Sequence, residues 1–196
     1  VGRMGRRKGL TFYQRKKKLN MVLIKEIASW IFWMFVSVFL AIVLVFCMGM
    51  KTNVIGSSME PCLYNGQEIF LNRVIYRLSS PKIGDVVVFR PNGNEKAHYY
   101  VKRVLAIPGD TVQVKGGILY VNGETQEDYF NDKIAEPGIA ENLIELGEDE
   151  YFVIGDNCNN SEDSRSANIG NIKKEHIIGK AWFRMAKQDS ELGLIE

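Results

Sequence analysis

Gly-Ser-Ser-Met-Glu-Pro, residues 56–61, sets two adjacent hydroxyls, Ser57 and Ser58, in one short stretch. A serine hydroxyl becomes a useful nucleophile only when a neighbouring group removes its proton. His98 and His176 are the only histidines of the chain. Neither lies in an H-E-x-x-H pattern, so zinc peptidase chemistry has no support, and neither has the setting of a Ser-His-Asp triad. That turns attention to lysine, and to Lys102 in "HYYVKRVLAIPGD".

If this run is a strand, Tyr100, Lys102 and Val104 share one face and Arg103 points the other way, toward water. At the ordinary pKa near 10.4, roughly one lysine in 2,500 is neutral at pH 7. Full burial lowers that pKa by up to about 3–5 units, which makes an amine a usable base. A third segment, "IGDNCNNSEDSRSANIG" over 154–170, follows the strand-like "EYFV" and is dense in short hydrogen-bonding side chains. By composition alone it reads as a long turn.

The elements that must position these groups divide into two kinds. From Ile27 to Met50 no residue is charged, and at about 1.5 Å per residue the run spans roughly 36 Å, enough to cross a bilayer core of about 30 Å. It is too long for the apolar part of a cleavable signal peptide and lacks a small-x-small site. Arg3, Arg6, Arg7, Lys8, Arg15, Lys16, Lys17, Lys18 and Lys25 precede it with no acid among them. The positive-inside rule therefore keeps residues 1–26 in the cytoplasm and sends 51–196 outside, with Trp30 and Trp33 toward the cytoplasmic interface. Taking those 9 from the 25 Lys+Arg leaves 16 against 23 Asp+Glu, about −7 for residues 26–196. Val1 is no initiator, and Met4 and Met21 are candidate starts.

Beyond Lys51 the sequence alternates in short runs: "EIFLNRVIY", "DVVVFRP", "HYYVKRVLAI", "TVQV", "ILYVNG", "EYFVIGD" and "HIIGKAWFRM" read as strands. Gly116-Gly117 and Asn122-Gly123 read as hairpin turns. Residues 124–150, polar and acidic, read as a surface excursion. Of the cysteines, Cys47 falls in the apolar run, so Cys62 and Cys158 could form at most one disulfide within the outer domain. Their spacing suggests no zinc site or disulfide framework, and free thiols are the plainer reading.

"GSSMEP", "YVKRVLAIPGD" and "GDNCNNSEDSR", in this order after one apolar span, resemble the membrane-anchored bacterial type I signal peptidases, as do "GDVVVF" (84–89) and "GGILYVNGE" (116–124). The resemblance covers most of residues 25–185 and is nearest the compact Gram-positive form. It implies an all-β catalytic domain, of the kind shared with self-cleaving repressors, on one N-terminal transmembrane helix. Ser58 matches the nucleophile and Lys102 the general base. Ser161 matches a hydroxyl that holds the lysine amine, Asp163 and Arg165 an ion pair bracing that loop, and Gly155 and Asp156 the turn into it. Val54, Ile55, Leu63, Tyr100 and Val101 match positions lining shallow apolar substrate pockets. Gly56 stands where some members carry an oxyanion-binding serine, so the donor here would be a backbone N–H, that of Ser58. Cys62 replaces a threonine, and Cys158-Asn159 replaces an Arg-Asp pair.

The implied activity is removal of signal peptides from exported preproteins, cut after small residues at the first and third positions before the bond. No metal, nucleotide or nucleic acid is implied; the partners are preproteins and the lipid bilayer. Two other readings fit less well. A self-cleaving repressor-type protease would need a helix-turn-helix domain in place of the span, and a catalytically silent scaffold would have no use for the dyad.

Overall fold

The computed structural model describes Gly2 and residues 21–48, 50–94, 97–130, 132–187 and 190–195. Apart from Gly2 and residues 21–26, the basic head expected over 1–26 lies outside the described residues. The apolar run forms helix α1, Met21–Met48. Its Met21–Val45 stretch has a mean hydropathy of 2.5 and is long and apolar enough to cross a membrane. Trp30, Trp33, Phe39 and Val45 are all exposed, so no polar face is set aside for water. The helix begins before Ile27, taking in Lys25 and Glu26. At its other end Met50, expected as the last apolar position of the span, opens the first strand.

The strands fall in one compact unit, Val43–Glu196. They are β1 (Met50–Asn53), β2 (Glu68–Asn72), β3 (Val86–Phe89), β4 (Tyr100–Ala106), β5 (Thr111–Lys115), β6 (Ile118–Val121), β7 (Glu124–Thr125), β8 (Ile144–Glu145), β9 (Glu150–Ile154), β10 (Ile172–Lys173), β11 (Ile177–Arg184) and β12 (Gly193–Leu194). One sheet runs β1-β2-β11-β3-β4-β9-β10, with β12 also on β11; a smaller one runs β7-β6-β5-β8. The fold is mostly β, as expected. The strand read over "EIFLNRVIY" stops at Asn72, whose Oδ1 accepts from the N–H groups of Val74 and Ile75. A one-turn helix, α2, Ile75–Leu78, follows.

Central β3, "VVVF", is buried at every position, as a strand covered on both faces must be. Val86 and Val88 pack with Val54, Met59, Leu63, Ile69 and Leu71. Val87 and Phe89 pack on the other face with Val104, Tyr151 and Val153. Both turns expected from glycine are present: Gly116-Gly117 joins β5 to β6 and Asn122-Gly123 joins β6 to β7, all four residues at positive φ. Residues 124–150 are not a simple surface excursion. Ile134, Ala140 and Leu146 are buried in the core of the smaller sheet, and β8 extends that sheet from β5. Their apolar positions lie six apart among acids, a spacing with neither helical nor strand period.

Candidate active site

Ser58 sits in a loop pinned at its base and from beneath. Val54 N–H donates to Gln67 O at 2.9 Å, and Gly66 N–H donates back to Val54 O at 2.6 Å. Met59 and Leu63 are fully buried under the loop, so the chain cannot lift without exposing two large apolar side chains, a cost of about 1.5–3 kcal/mol each. Gln67, itself buried, ties the same base to Met185 O and Ser190 Oγ through its amide.

Lys102 comes from β4, where the antiparallel register sets it opposite Val87 and sets Arg103 opposite Val86. Directly opposed residues share a face, so Lys102 lies on the Tyr100, Val104 and Val87 side, as alternation predicts. It is 3% exposed. Its Nζ lies 2.6 Å from Ser58 Oγ and 5.8 Å from the centre of the Tyr100 ring. Burial pulls the Lys102 ammonium down to about 8; the Asp163 carboxylate works against this and Arg165 with it. The result is a lysine with a substantial neutral fraction near neutrality, in contact with a serine hydroxyl. Neither histidine takes that place: His98 is exposed on the segment before β4, and His176 faces Glu175 at 3.6 Å.

The 154–170 segment closes the site from the end of β9. Asp163 is buried and paired with Arg165 through Nε–Oδ1 at 2.8 Å and Nη2–Oδ2 at 2.9 Å. Its Oδ2 also accepts from the N–H of Gly155 at 3.2 Å and the hydroxyl of Ser161 at 2.7 Å. Arg165 in turn donates to Glu136 O and Cys158 O. Ser161 thus gives its proton to an ionised carboxylate, the stronger acceptor. Among the described residues no hydrogen bond joins Ser161 to Lys102, which differs from the expectation that Ser161 holds the amine. Gly155 is required for closeness rather than for φ. A Cβ there would lie 2.3 Å from Ser58 O and 2.4 Å from Ser161 Oγ.

Arg103 corrects the alternation argument. It points away from Lys102 but not into water: it is 8% exposed and forms a two-point ion pair with Asp156, at 2.8 Å on each arm. It also donates to Gly84 O at 2.9 Å. Asp156 therefore ties the turn after β9 to the β3 entrance. Three further contacts had no signal beyond an asparagine-rich turn. Asn157 donates its backbone N–H to Ser58 O at 3.0 Å and its side-chain amide to Ser57 O at 3.2 Å. Asn160 Nδ2 donates to Ser57 Oγ at 2.7 Å. The hydroxyl of the first serine is thereby engaged by asparagine and that of the second by lysine.

Among the residues expected to line the substrate groove, Ile55 is 63% exposed, while Val54, Leu63 and Val101 are buried in the core. Tyr100 is half-buried and donates its hydroxyl to Glu162 at 3.0 Å. Gly56 N–H is committed to Asn65 Oδ1 at 3.0 Å. Among the described residues the N–H of Ser58 donates to no acceptor, and it can serve an incoming oxyanion. Cys62 and Cys158 are both free thiols. No cluster of metal-ligating side chains occurs among the described residues.

The chain is similar to known proteins. Residues 27–186 match the family described as signal peptidase, peptidase S26. A 132-residue stretch is 39% identical to signal peptidase I P of Bacillus subtilis subsp. natto, covering 63% of this chain and 70% of that protein. Signal peptidase IB of Staphylococcus aureus (strain COL) is 35% identical over 184 residues, 82% of this chain and 90% of its own. A crystal structure of a signal peptidase I from Enterococcus faecalis V583 superposes with a TM-score of 0.41 at 29% identity, over 51% of this chain and 95% of that one.

Proposed function

The chain belongs to the signal peptidase family, peptidase S26, and from that premise we propose that it removes signal peptides from exported preproteins with a Ser58–Lys102 dyad. Membership makes it a serine hydrolase of the signal peptidase I type; the residues that do the work are our assignment. The observation that carries it is the 2.6 Å contact between a buried lysine and a serine hydroxyl. Neutral Lys102 takes the proton from Ser58 Oγ, which attacks the scissile carbonyl. The Ser58 N–H holds the oxyanion, replacing the serine hydroxyl that Gly56 lacks. Lysine then protonates the leaving amine, and water, deprotonated by the same lysine, hydrolyses the acyl-enzyme.

The remaining groups keep this pair in register. Asp163–Arg165 and Arg103–Asp156 fix the two ends of the turn that contacts Ser57 and Ser58, and Gly155 lets that turn approach the nucleophile's own carbonyl. Ile55 and Tyr100 reach the surface beside the dyad and suit an extended apolar substrate segment, with Val54, Leu63 and Val101 as its floor. Cleavage follows small residues at the first and third positions before the bond. α1 crosses the cell membrane once, with residues 1–26 cytoplasmic and 51–196 extracytoplasmic. Incubating the full chain in neutral detergent with a signal-peptide-bearing preprotein, and mapping the new N-terminus by mass spectrometry, tests the reading. Loss of cleavage in Ser58→Ala and in Lys102→Ala supports it, and cleavage by either variant at the wild-type rate overturns it.

A further inference from the structure

A hollow of about 610 Å³ in the β domain lies away from the dyad, where α2 meets the start of β11. Four cations line it: Arg73 and Arg77 from the α2 segment, Lys173 and Lys174 from the β10 end. Asp149 and Glu175 share the rim, which leaves the hollow at +2 in a stretch of chain that carries −7 overall. None of the four cations is in an ion pair among the described residues. Lys174 donates to Ser80 Oγ at 3.1 Å. Unpaired cations gathered on an otherwise acidic domain constitute an anion site in waiting, and guanidinium groups suit phosphate oxygens in particular.

Its place in the fold indicates the source of the anion. β1 pairs with β2 so that Met50 stands opposite Leu71. The chain leaves α1 at Met48, two residues before Met50, a reach of about 7 Å at most. Arg73 follows two residues after Leu71. Whatever the tilt of the helix, the α2 segment starts within a few residues' reach of the point where the chain quits the apolar span. That segment also carries Leu78, 86% exposed and directly after Arg77. A bare leucine among basic side chains is the chemistry of an interfacial contact: an apolar tip for the acyl boundary and cations for headgroups.

We propose that this hollow binds the phosphate headgroups of anionic phospholipids and seats the α2 edge of the catalytic domain on the bilayer. The inference rests on the reading that Met21–Val45 crosses a membrane. A domain so seated holds Ser58 at a set height above the bilayer, where a membrane-spanning signal peptide ends.

The test uses the full chain in neutral maltoside micelles doped with phosphatidylglycerol or, at equal mole fraction, phosphatidylcholine. The readout is the thermal midpoint of the β domain by circular dichroism. Phosphatidylglycerol alone raises the midpoint. In Arg73→Gln/Arg77→Gln the half-saturating mole fraction increases about 30-fold, a factor of about five per cation. A control double, Lys115→Gln/Lys133→Gln, removes two exposed charges elsewhere and leaves the titration unchanged. Equal responses to the two lipids, or equal losses in the two doubles, overturn the proposal. A shift reproduced by glycerol phosphate assigns the hollow to a soluble phosphate, and one reproduced by polyglutamate assigns it to an acidic polypeptide; either overturns the lipid assignment. Both doubles cleave preprotein in lipid-free micelles like the wild type, so this titration and the Ser58–Lys102 reading fail independently.

Discussion

Replacing Lys102 by methionine should destroy activity and stabilise the protein, by an amount set by pH. The side chain is 3% exposed and its ammonium titrates near 8 rather than 10.5. Because the folded pKa is depressed, the unfolded chain binds more protons between about pH 8 and 10.5, so stability falls as pH drops through that window and the full cost is present below it. At about 1.36 kcal/mol per unit, the cost is about 3 kcal/mol below pH 8. It fades as pH rises from 8 to 10.5, since the lysine is by then neutral in both states. Methionine fills a similar volume without the charge but gives up the hydrogen bond to Ser58, worth about 1 kcal/mol. The variant should therefore be more stable by about 2 kcal/mol at pH 6, with the gain gone by pH 10. Urea unfolding of both proteins in the same detergent, followed by circular dichroism at pH 6, 8 and 10, measures the difference. A variant no more stable than wild type at pH 6, or a gain that does not change with pH, would refute the claim that burial holds Lys102 near neutrality. The same shift sets the activity profile: kcat/KM of the wild type should climb about tenfold per unit below pH 8 and level off above it.

Ser58→Ala should abolish preprotein cleavage without unfolding the protein, whereas Ser57→Ala, which removes only the acceptor for Asn160, should keep at least a tenth of the activity, a barrier change below about 1.4 kcal/mol; comparable loss in both would undo the choice between the two serines. Gly155→Ala places a methyl 2.3 Å from Ser58 O and should cut kcat far more than it raises KM, and a near-wild-type kcat would show that the turn can yield. Arg103→Met leaves the partly buried Asp156 carboxylate without its partner and should destabilise the domain by up to about 3 kcal/mol at neutral pH, read from the shift in urea midpoint. Protease added to wall-stripped cells should digest residues beyond Met50 and spare the basic head; the reverse pattern would invert the topology.

What the residues determined by themselves is the part of this protein governed by local or periodic physics. The uncharged run that starts at Ile27 is long and apolar enough to specify a helix apolar all round, although its last residue, Met50, opens the first strand instead. The strand alternation set Lys102 on the face of Tyr100 and Val104, and Gly116-Gly117 and Asn122-Gly123 specified their hairpins, because φ > 0 is a property of single residues. The three motifs marked out Ser58, Lys102 and the 154–170 loop, which the fold brings together, though spacing alone left Ser57 and Ser58 equivalent. Only tertiary structure decided what depends on partners distant in sequence. Arg103 is buried because Asp156, 53 residues away, meets it, an outcome invisible to a period-2 rule. Ser161 donates to Asp163, a carboxylate held in place by Arg165. Ile134, Ala140 and Leu146 join the core at a spacing of six, which is neither a helical nor a strand period, so burial there follows from the shape of the smaller sheet. Above all, the depressed titration of Lys102 and its 2.6 Å approach to Ser58 arise when a loop pinned by Met59 and Leu63 closes over β4, since desolvation is a property of the packed surroundings and not of the lysine.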